Sequence, residues 1–231
     1  VLACPSPEEV PPGPWALVSA DERTGVSPRW RATVERALAG SSRPSVLTEL
    51  LGDPTPRSVA EEWRAPAGTE AGLRVPLGRD PWGQVVDLDL IAHGPHALVA
   101  GTTGSGKSEL LASWVIALAL AHPPSRLHLL LVDYKGGSTF AAAALLPHTV
   151  GVLTDLDGAA SDRALATLRA ELQRREALVA AGGGRDISDL ADPPARLVVV
   201  VDELRALVED SPDRLADLVR LATQGRSLGI H

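Results

Sequence analysis

The sequence predicts an α/β fold built on a mainly parallel sheet, and three observations carry that expectation. Two continuous apolar runs, Leu127 to Val132 and Leu197 to Val201, have the character of central strands buried on both faces. Strand-like and helix-like segments alternate from residue 97 onward, as crossover-connected parallel strands require. A glycine-rich segment, Gly101-Thr102-Thr103-Gly104-Ser105-Gly106-Lys107-Ser108, stands between a short apolar strand and an apolar helix.

Residues 1–70 read as a small lead-in or adaptor region, rich in Pro, Arg and small residues, and residues 71–231 as the main domain. In the lead-in, Thr33 to Ala39 and Val46 to Leu51 are expected to be short helices. Trp15, Trp30 and Trp63 are taken as packing residues. Leu73 to Gly78 and Gln84 to Leu90, joined by Arg79-Asp80-Pro81-Trp82-Gly83, read as a hairpin. Then follow strand 97–100, helix 108–121, strand 127–133, a short strand near 150–154, helix 158–181, strand 196–201 and helix 212–225. Gly182-Gly183-Gly184 is a glycine stop for the long helix. Its charged face, Arg169, Glu171, Arg174, Arg175 and Glu176, reads as solvated or subunit-facing. The last helix has Ser211 as N-cap, Pro212 in its first turn and Gly225 just past its end.

Composition narrows the function classes. The chain has 231 residues, room for one large domain or a domain with a lead-in. A net charge of −7 argues against an extended duplex-binding face, and 3% aromatic residues argue against base-stacking platforms. Cys4 is the only cysteine, which suits a reducing compartment. The most apolar stretch, Leu110 to Ala121, is too short to span a bilayer, so this segment is expected to make no direct membrane contact. The absence of methionine marks the sequence as an excerpt or a processed form.

The glycine-rich segment has the spacing G-x-x-x-x-G-K-[ST] of a phosphate-binding loop. Glycines let backbone N–H groups turn inward around a β-phosphate, and the following helix directs its positive end at the anion. Lys107 would reach the β- and γ-phosphates and Ser108 would bind Mg²⁺. The nucleotide-binding set is therefore Gly101, Thr102, Thr103, Gly104, Ser105, Gly106, Lys107, Ser108 and the first helical residue after it, Glu109. The chain holds twenty arginines and two lysines, Lys107 and Lys135. Both lysines sit in glycine-bearing turns, where a compact ammonium fits and a planar guanidinium does not.

The strand Leu197 to Val201 ends in Asp202-Glu203, and strand ends carry chemistry in this fold class. Asp202 would hold the Mg²⁺ shell and Glu203 would polarise the attacking water. Acidic residues also favour a helix N-terminus, so the pair suits a helix opening in either case. Asp133-Tyr134-Lys135-Gly136-Gly137-Ser138-Thr139-Phe140 is either a strand-to-helix turn with a capping Ser or Thr, or a functional element. In the second case Asp133 and Lys135 sit beside the phosphates or at a subunit boundary. His93, His96, His122, His128, His148 and His231 have no metal-ligand spacing.

The segments GTTGSGKSELL, LLVDYKGGSTF, LPHTVGVLTDLD, RALATLRAELQRRE, VVVVDEL and QGRSLGIH together resemble the FtsK/SpoIIIE family of P-loop motor ATPases. Within it, the chain looks most like the EccC-type ATPases of actinobacterial type VII secretion. The resemblance runs from about Leu73 to His231 and implies a RecA-like core, Mg-ATP, and self-association as a hexamer or as tandem ATPase domains. It implies that Arg163 reaches a neighbouring subunit's nucleotide as a catalytic arginine beside Lys107 and Glu203. Arg226 is a second candidate, and a surface ion pair is the alternative for both. Arg205 stands where the family commonly has an acidic or small residue.

The family's sensor, Ala-Thr-Gln, is expected on a strand beyond GIH. Ala222-Thr223-Gln224 lie on a helix and are not it. The chain is thus expected to bind ATP and to turn it over weakly or not at all. The function implied is an ATP-hydrolysing motor module that moves secreted protein, on the cytoplasmic side of a membrane-anchored parent. A DNA translocase of the same fold and a nucleotide-binding regulatory or scaffolding module are the alternatives.

Overall fold

The computed structural model describes residues 16–19, 47–52, 54–64, 72–80, 82–102, 104–134, 136, 139–154, 158–206 and 212–231. The helix expected over Thr33 to Ala39, and Cys4, Trp15, Trp30, Thr103, Lys135 and Ser211, lie outside the described residues. Contacts divide the chain into two units, Val1–His122 and Pro123–His231.

In the first unit, β1 (Ala16–Ser19) is followed by α1 (Leu47–Leu51) and α2 (Pro56–Arg64). The α1 helix was expected and α2 was not. Its signal is a cap rather than a period. Thr55 Oγ1 accepts from the Ser58 amide at 3.1 Å, and Ser58 Oγ accepts from the Thr55 amide at 2.9 Å. This reciprocal pair precedes a proline at the first helical position. Both helices pack within this unit, α1 against the hairpin strand that follows and α2 against the helix that leaves the glycine loop. Trp63 donates its indole N–H to the Leu120 carbonyl at 3.0 Å, so it is a packing residue with an anchored polar edge.

The expected hairpin forms as β2 (Arg74–Arg79) and β3 (Val85–Asp89), antiparallel, with a bulge between Pro76 and Gly78. Proline cannot donate to the ladder, which places it beside the irregularity. Asp80 closes the turn by accepting the Trp82 and Gln84 amides at 2.9 and 2.8 Å. Leu73, Val75, Leu88 and Leu90 bury one face.

Strand β4 (Ala97–Ala100) and helix α3 (Lys107–Ala121) flank the glycine loop, as expected. Trp114, Val115, Ala117, Leu118 and Ala119 are buried, so α3 is a core helix. The pairing of β4 differs from expectation. It lies antiparallel to β1, in register Ala16↔Ala100 to Ser19↔Ala97, within the first unit.

The second unit carries the parallel sheet, in the order β6-β5-β7, with β5 (Leu127–Asp133) between β6 (Thr149–Thr154) and β7 (Arg196–Asp202). The far side of β7 is taken by residues 229–231. Gly229 and His231 carbonyls accept from the Leu197 and Val199 amides at 2.8 Å, and the Leu197 carbonyl accepts from the His231 amide at 2.8 Å. That parallel bridge occupies the flank a fourth strand would use.

Helix α4 (Gly158–Ala181) packs Leu165, Leu168, Leu172 and Val179 onto Leu197, Leu221, Leu228 and Ile230. The spacing is one helical stripe, and each such side chain contributes about 2 kcal/mol on burial. The glycine stop is a Schellman motif. The Gly184 amide bonds the Val179 carbonyl at 3.1 Å, the Gly183 amide bonds the Ala180 carbonyl at 3.1 Å, and Gly183 has φ of 69°.

Helix α5 (Pro212–Gly225) is tied to α4 by the ion pairs Arg214–Asp162 and Arg169–Asp217. Gly225 is not its αL stop. It has φ of −66°, a 3₁₀ turn follows over Arg226–Leu228, and Gly229, with φ of 68°, makes the reversal. Gly225 serves close packing instead, since a Cβ there would meet Ile230 Cβ at 2.9 Å.

Arg175 corrects the reading of α4's charged face. It is 2% exposed. Its guanidinium donates to the carbonyls of Leu228 at 3.0 Å, Gly229 at 3.2 Å and Ala195 at 2.7 Å, and to Glu171 Oε1 at 2.7 Å. Burial lowers the pKa of Arg175, and Glu171 opposes that shift. Arg174, bonded to both Glu171 oxygens at 2.7 and 2.8 Å, and then Arg175 hold the Glu171 carboxyl down from 4.5 to about 2.

Arg175→Met should destabilise the second unit by about 3 kcal/mol, because three carbonyls and a half-buried carboxylate lose their donor. Urea unfolding followed by circular dichroism measures this. The depressed Glu171 pKa adds stability that is complete above about pH 4.5 and is lost as pH falls toward 2. In acid titration Glu171→Gln should therefore flatten the loss of stability between those pH values.

Candidate functional site

In the first unit the glycine loop turns because Gly104 and Gly106 adopt φ of 78° and 87°, a region open to glycine at little cost. The Ser105 amide closes the turn on the Thr102 carbonyl at 3.1 Å. Gly106 stands at the N-cap of α3 with no side-chain cap, so no side chain competes for the amide end of the helix. Lys107 Nζ donates to the carbonyls of Gly101 at 2.9 Å and Thr102 at 3.1 Å. The ammonium is thereby drawn into the loop. Ser105 Oγ is buried and has no hydrogen-bond partner among the described residues. Ser108 and Glu109 begin α3, with Ser108 half-buried and Glu109 exposed. An uncapped helix terminus, an inward ammonium and an unanswered hydroxyl form a donor set for an anion, and these residues fit a phosphate chain.

In the second unit the parallel register sets Asp133 of β5 directly beside Asp202 of β7. Both carboxylates are buried, at 0% and 3% exposure. Thr139 bridges them. Its amide donates to Asp133 Oδ2 at 3.2 Å and its hydroxyl donates to Asp202 Oδ2 at 2.9 Å. Asp202 Oδ1 accepts the Glu203 amide at 2.9 Å. Glu203 has φ of 60°, the one non-glycine residue with positive φ among those described. Its carbonyl accepts the Ala206 amide at 3.0 Å and starts a short helical turn over residues 204–206. A left-handed glutamate costs about 1 kcal/mol or more, and such strain collects at working sites.

The structure thus brings Asp133, Asp202 and Glu203 together at the strand ends of the second unit. The loop Gly101 to Ser108 stands at a helix N-terminus in the first. Arg163 is exposed on α4, where its carbonyl accepts the Thr167 hydroxyl at 2.9 Å. Arg226 is exposed on the last 3₁₀ turn. Thr139 had been read only as a possible cap. Its hydroxyl partner lies 63 residues away, and no local pattern encodes that contact. Among the described residues no group of three or more His, Cys, Asp or Glu could hold a metal by itself.

Comparison with known proteins places this arrangement. The profile of the FtsK/SpoIIIE family matches residues 61–196, more than half of the chain. The chain belongs to the FtsK/SpoIIIE family. It is 39% identical over 187 residues to the type VII secretion system protein EssC of Staphylococcus aureus strain NCTC 8325, covering 75% of this chain and 12% of that protein. It is 38% identical over 186 residues to the ESX secretion system protein EccC of Geobacillus thermodenitrificans, again covering 75% and 12%. The chain therefore spans about an eighth of the length of these relatives.

Among solved structures, the cytoplasmic domain of the type VII secretion ATPase EccC of Thermomonospora curvata superposes with a TM-score of 0.73 at 35% identity, covering 82% of this chain and 24% of that one. ATPases 2 and 3 of the same EccC, in complex with a signal sequence peptide, give 0.61 at 28% identity, covering 72% and 33%. The α/β fold with its parallel sheet is the fold of the FtsK/SpoIIIE ATPase domain, present here in part.

The strain at Glu203 is measurable. Asparagine tolerates the left-handed region and glutamine does not, so Glu203→Asn should be more stable than Glu203→Gln by about 0.5–1 kcal/mol in thermal unfolding.

Proposed function

We propose that this FtsK/SpoIIIE domain binds ATP, turns it over weakly or not at all by itself, and belongs to an ATP-hydrolysing motor module of a type VII-like secretion system, with secreted protein as cargo. The observation that carries the reading is the Gly101–Ser108 loop. It combines two left-handed glycines, Gly104 and Gly106, with an ammonium turned into the loop at an uncapped helix end. The backbone amides from Gly104 to Ser108 cradle the phosphates, and Lys107 exchanges its loop carbonyls for phosphate oxygens. The Ser108 hydroxyl and the Asp202 carboxylate are the groups that hold Mg²⁺. When bound, Mg²⁺ neutralises charge on the phosphate oxygens. Glu203 orients the attacking water. Arg163 is the candidate for stabilising transition-state charge on a neighbour's nucleotide, with Arg226 second.

The lead-in, residues 1–70, serves as an adaptor on the ATPase domain of residues 71–231, with α1 and α2 packed against β2 and α3. The relatives named above support the secretion assignment. A net charge of −7 with 3% aromatic residues favours protein cargo over DNA. The parent is membrane-anchored and presents this domain to the cytoplasm. No helix among the described residues is long and apolar enough to cross a membrane. The domain acts with further copies or with tandem ATPase domains.

Fluorescent nucleotide titration and single-turnover hydrolysis test this. Lys107→Ala should weaken Mg-ATP binding at least roughly tenfold. Glu203→Gln should retain binding and abolish whatever single-turnover hydrolysis the unsubstituted chain supports. Failure of the unsubstituted chain to bind Mg-ATP would overturn the reading. Hydrolysis stimulated by duplex DNA at low salt, with the stimulation lost as salt rises, would move the cargo assignment to DNA.

A further inference from the structure

We propose that Thr139 is a positioning residue that sets the orientation of the Asp202 carboxylate, and that Asp133 acts by holding Thr139 rather than as a metal ligand of its own. The inference rests on the ATPase reading for its consequence but on the strand-end geometry for its substance. Asp133 is fully buried at the end of the central strand, and its Oδ2 accepts the Thr139 amide at 3.2 Å. The backbone of Thr139 is thus tied to the sheet. From that fixed point its hydroxyl donates to Asp202 Oδ2 at 2.9 Å, while the Glu203 amide donates to Oδ1 at 2.9 Å.

Each oxygen of Asp202 therefore accepts a donor that helps to fix it. The last torsion of an aspartate is broad and roughly two-fold, so a carboxylate without such donors samples a wide range of planes. The Glu203 amide holds one oxygen and the Thr139 hydroxyl holds the other, and donors on both oxygens restrict that rotation more than a donor on one. The carboxylate plane then dictates where a metal-bound water would be received. A threonine delivers one proton from a stiff, β-branched side chain, which suits a clamp better than a longer polar residue.

Thr139→Val keeps the shape and removes the hydroxyl, while Thr139→Ser keeps the hydroxyl. Both are made in the whole 231-residue chain. Two readouts are taken. The first is Mn²⁺ affinity in the presence of saturating ADP, by electron paramagnetic resonance, with ADP affinity in EDTA as its companion. Thr139→Val should weaken Mn²⁺ roughly tenfold, about the worth of one hydrogen bond to a charged group, and leave ADP affinity in EDTA unchanged. Thr139→Ser should bind Mn²⁺ as the unsubstituted chain does.

The second readout needs no nucleotide. Hydrogen exchange at the Glu203 amide, followed by NMR, should rise roughly tenfold in Thr139→Val and stay unchanged in Thr139→Ser. Unchanged exchange in Thr139→Val, or equal exchange in the two variants, overturns the clamp. A chain that shows the exchange effect yet takes up neither ADP nor Mn²⁺ supports the clamp and overturns the ATPase reading instead.

Discussion

The second unit is organised by a buried guanidinium. Arg175 reaches from the middle of a long helix to the carbonyls of Ala195, Leu228 and Gly229. These lie just before β7 and where the chain begins to run parallel beside it. One side chain thus fixes the starting ends of two neighbouring strands. The Asp202 and Glu203 carboxylates of the candidate site stand at the opposite end of β7, roughly 20 Å away at the usual rise per residue. Their precision depends on a register set at the far end, because a parallel strand that slips by one residue presents the wrong side chain. Burying a guanidinium is costly, and only its full set of acceptors makes the site tolerable.

The sheet was legible in the sequence because its evidence is local. LHLLLV and LVVVV are short and mainly apolar, the second almost wholly β-branched, and their length suits a buried strand. The hairpin, the glycine loop and the Gly182–Gly184 stop were legible for the same reason, since turn chemistry is written in neighbouring residues. Three features were not. Strand β4 was expected among the parallel strands and pairs with β1, a partner more than seventy residues earlier that no periodicity announces. Arg175 was assigned to a solvated or subunit-facing surface because a charged residue on a charged helix face ordinarily lies on the outside. Gly225 was assigned to a helix stop, whereas its role is to admit Ile230 at close range.

The candidate site divides in the same way. That Asp202 and Glu203 end a strand follows from the run of valines before them. That Asp133 stands beside Asp202 follows from the pairing of two strands whose hydrophobic patterns do not state their order. The bridge by Thr139 and the left-handed backbone at Glu203 are products of tertiary structure alone. At the candidate site, as at Arg175 and Gly225, simple sequence rules yield to contacts that only the tertiary structure makes.

The hold of Lys107 on its own loop has a consequence for nucleotide exchange. The ammonium has three N–H groups, and two of them are engaged by the Gly101 and Thr102 carbonyls before any anion arrives. A phosphate that entered this loop would have to take over those contacts, and a departing one would return them. The ammonium would keep oxygen partners in either state. Entry and release would then be substitution reactions at a fixed charge, with a speed set by how readily two carbonyl oxygens give way to phosphate oxygens.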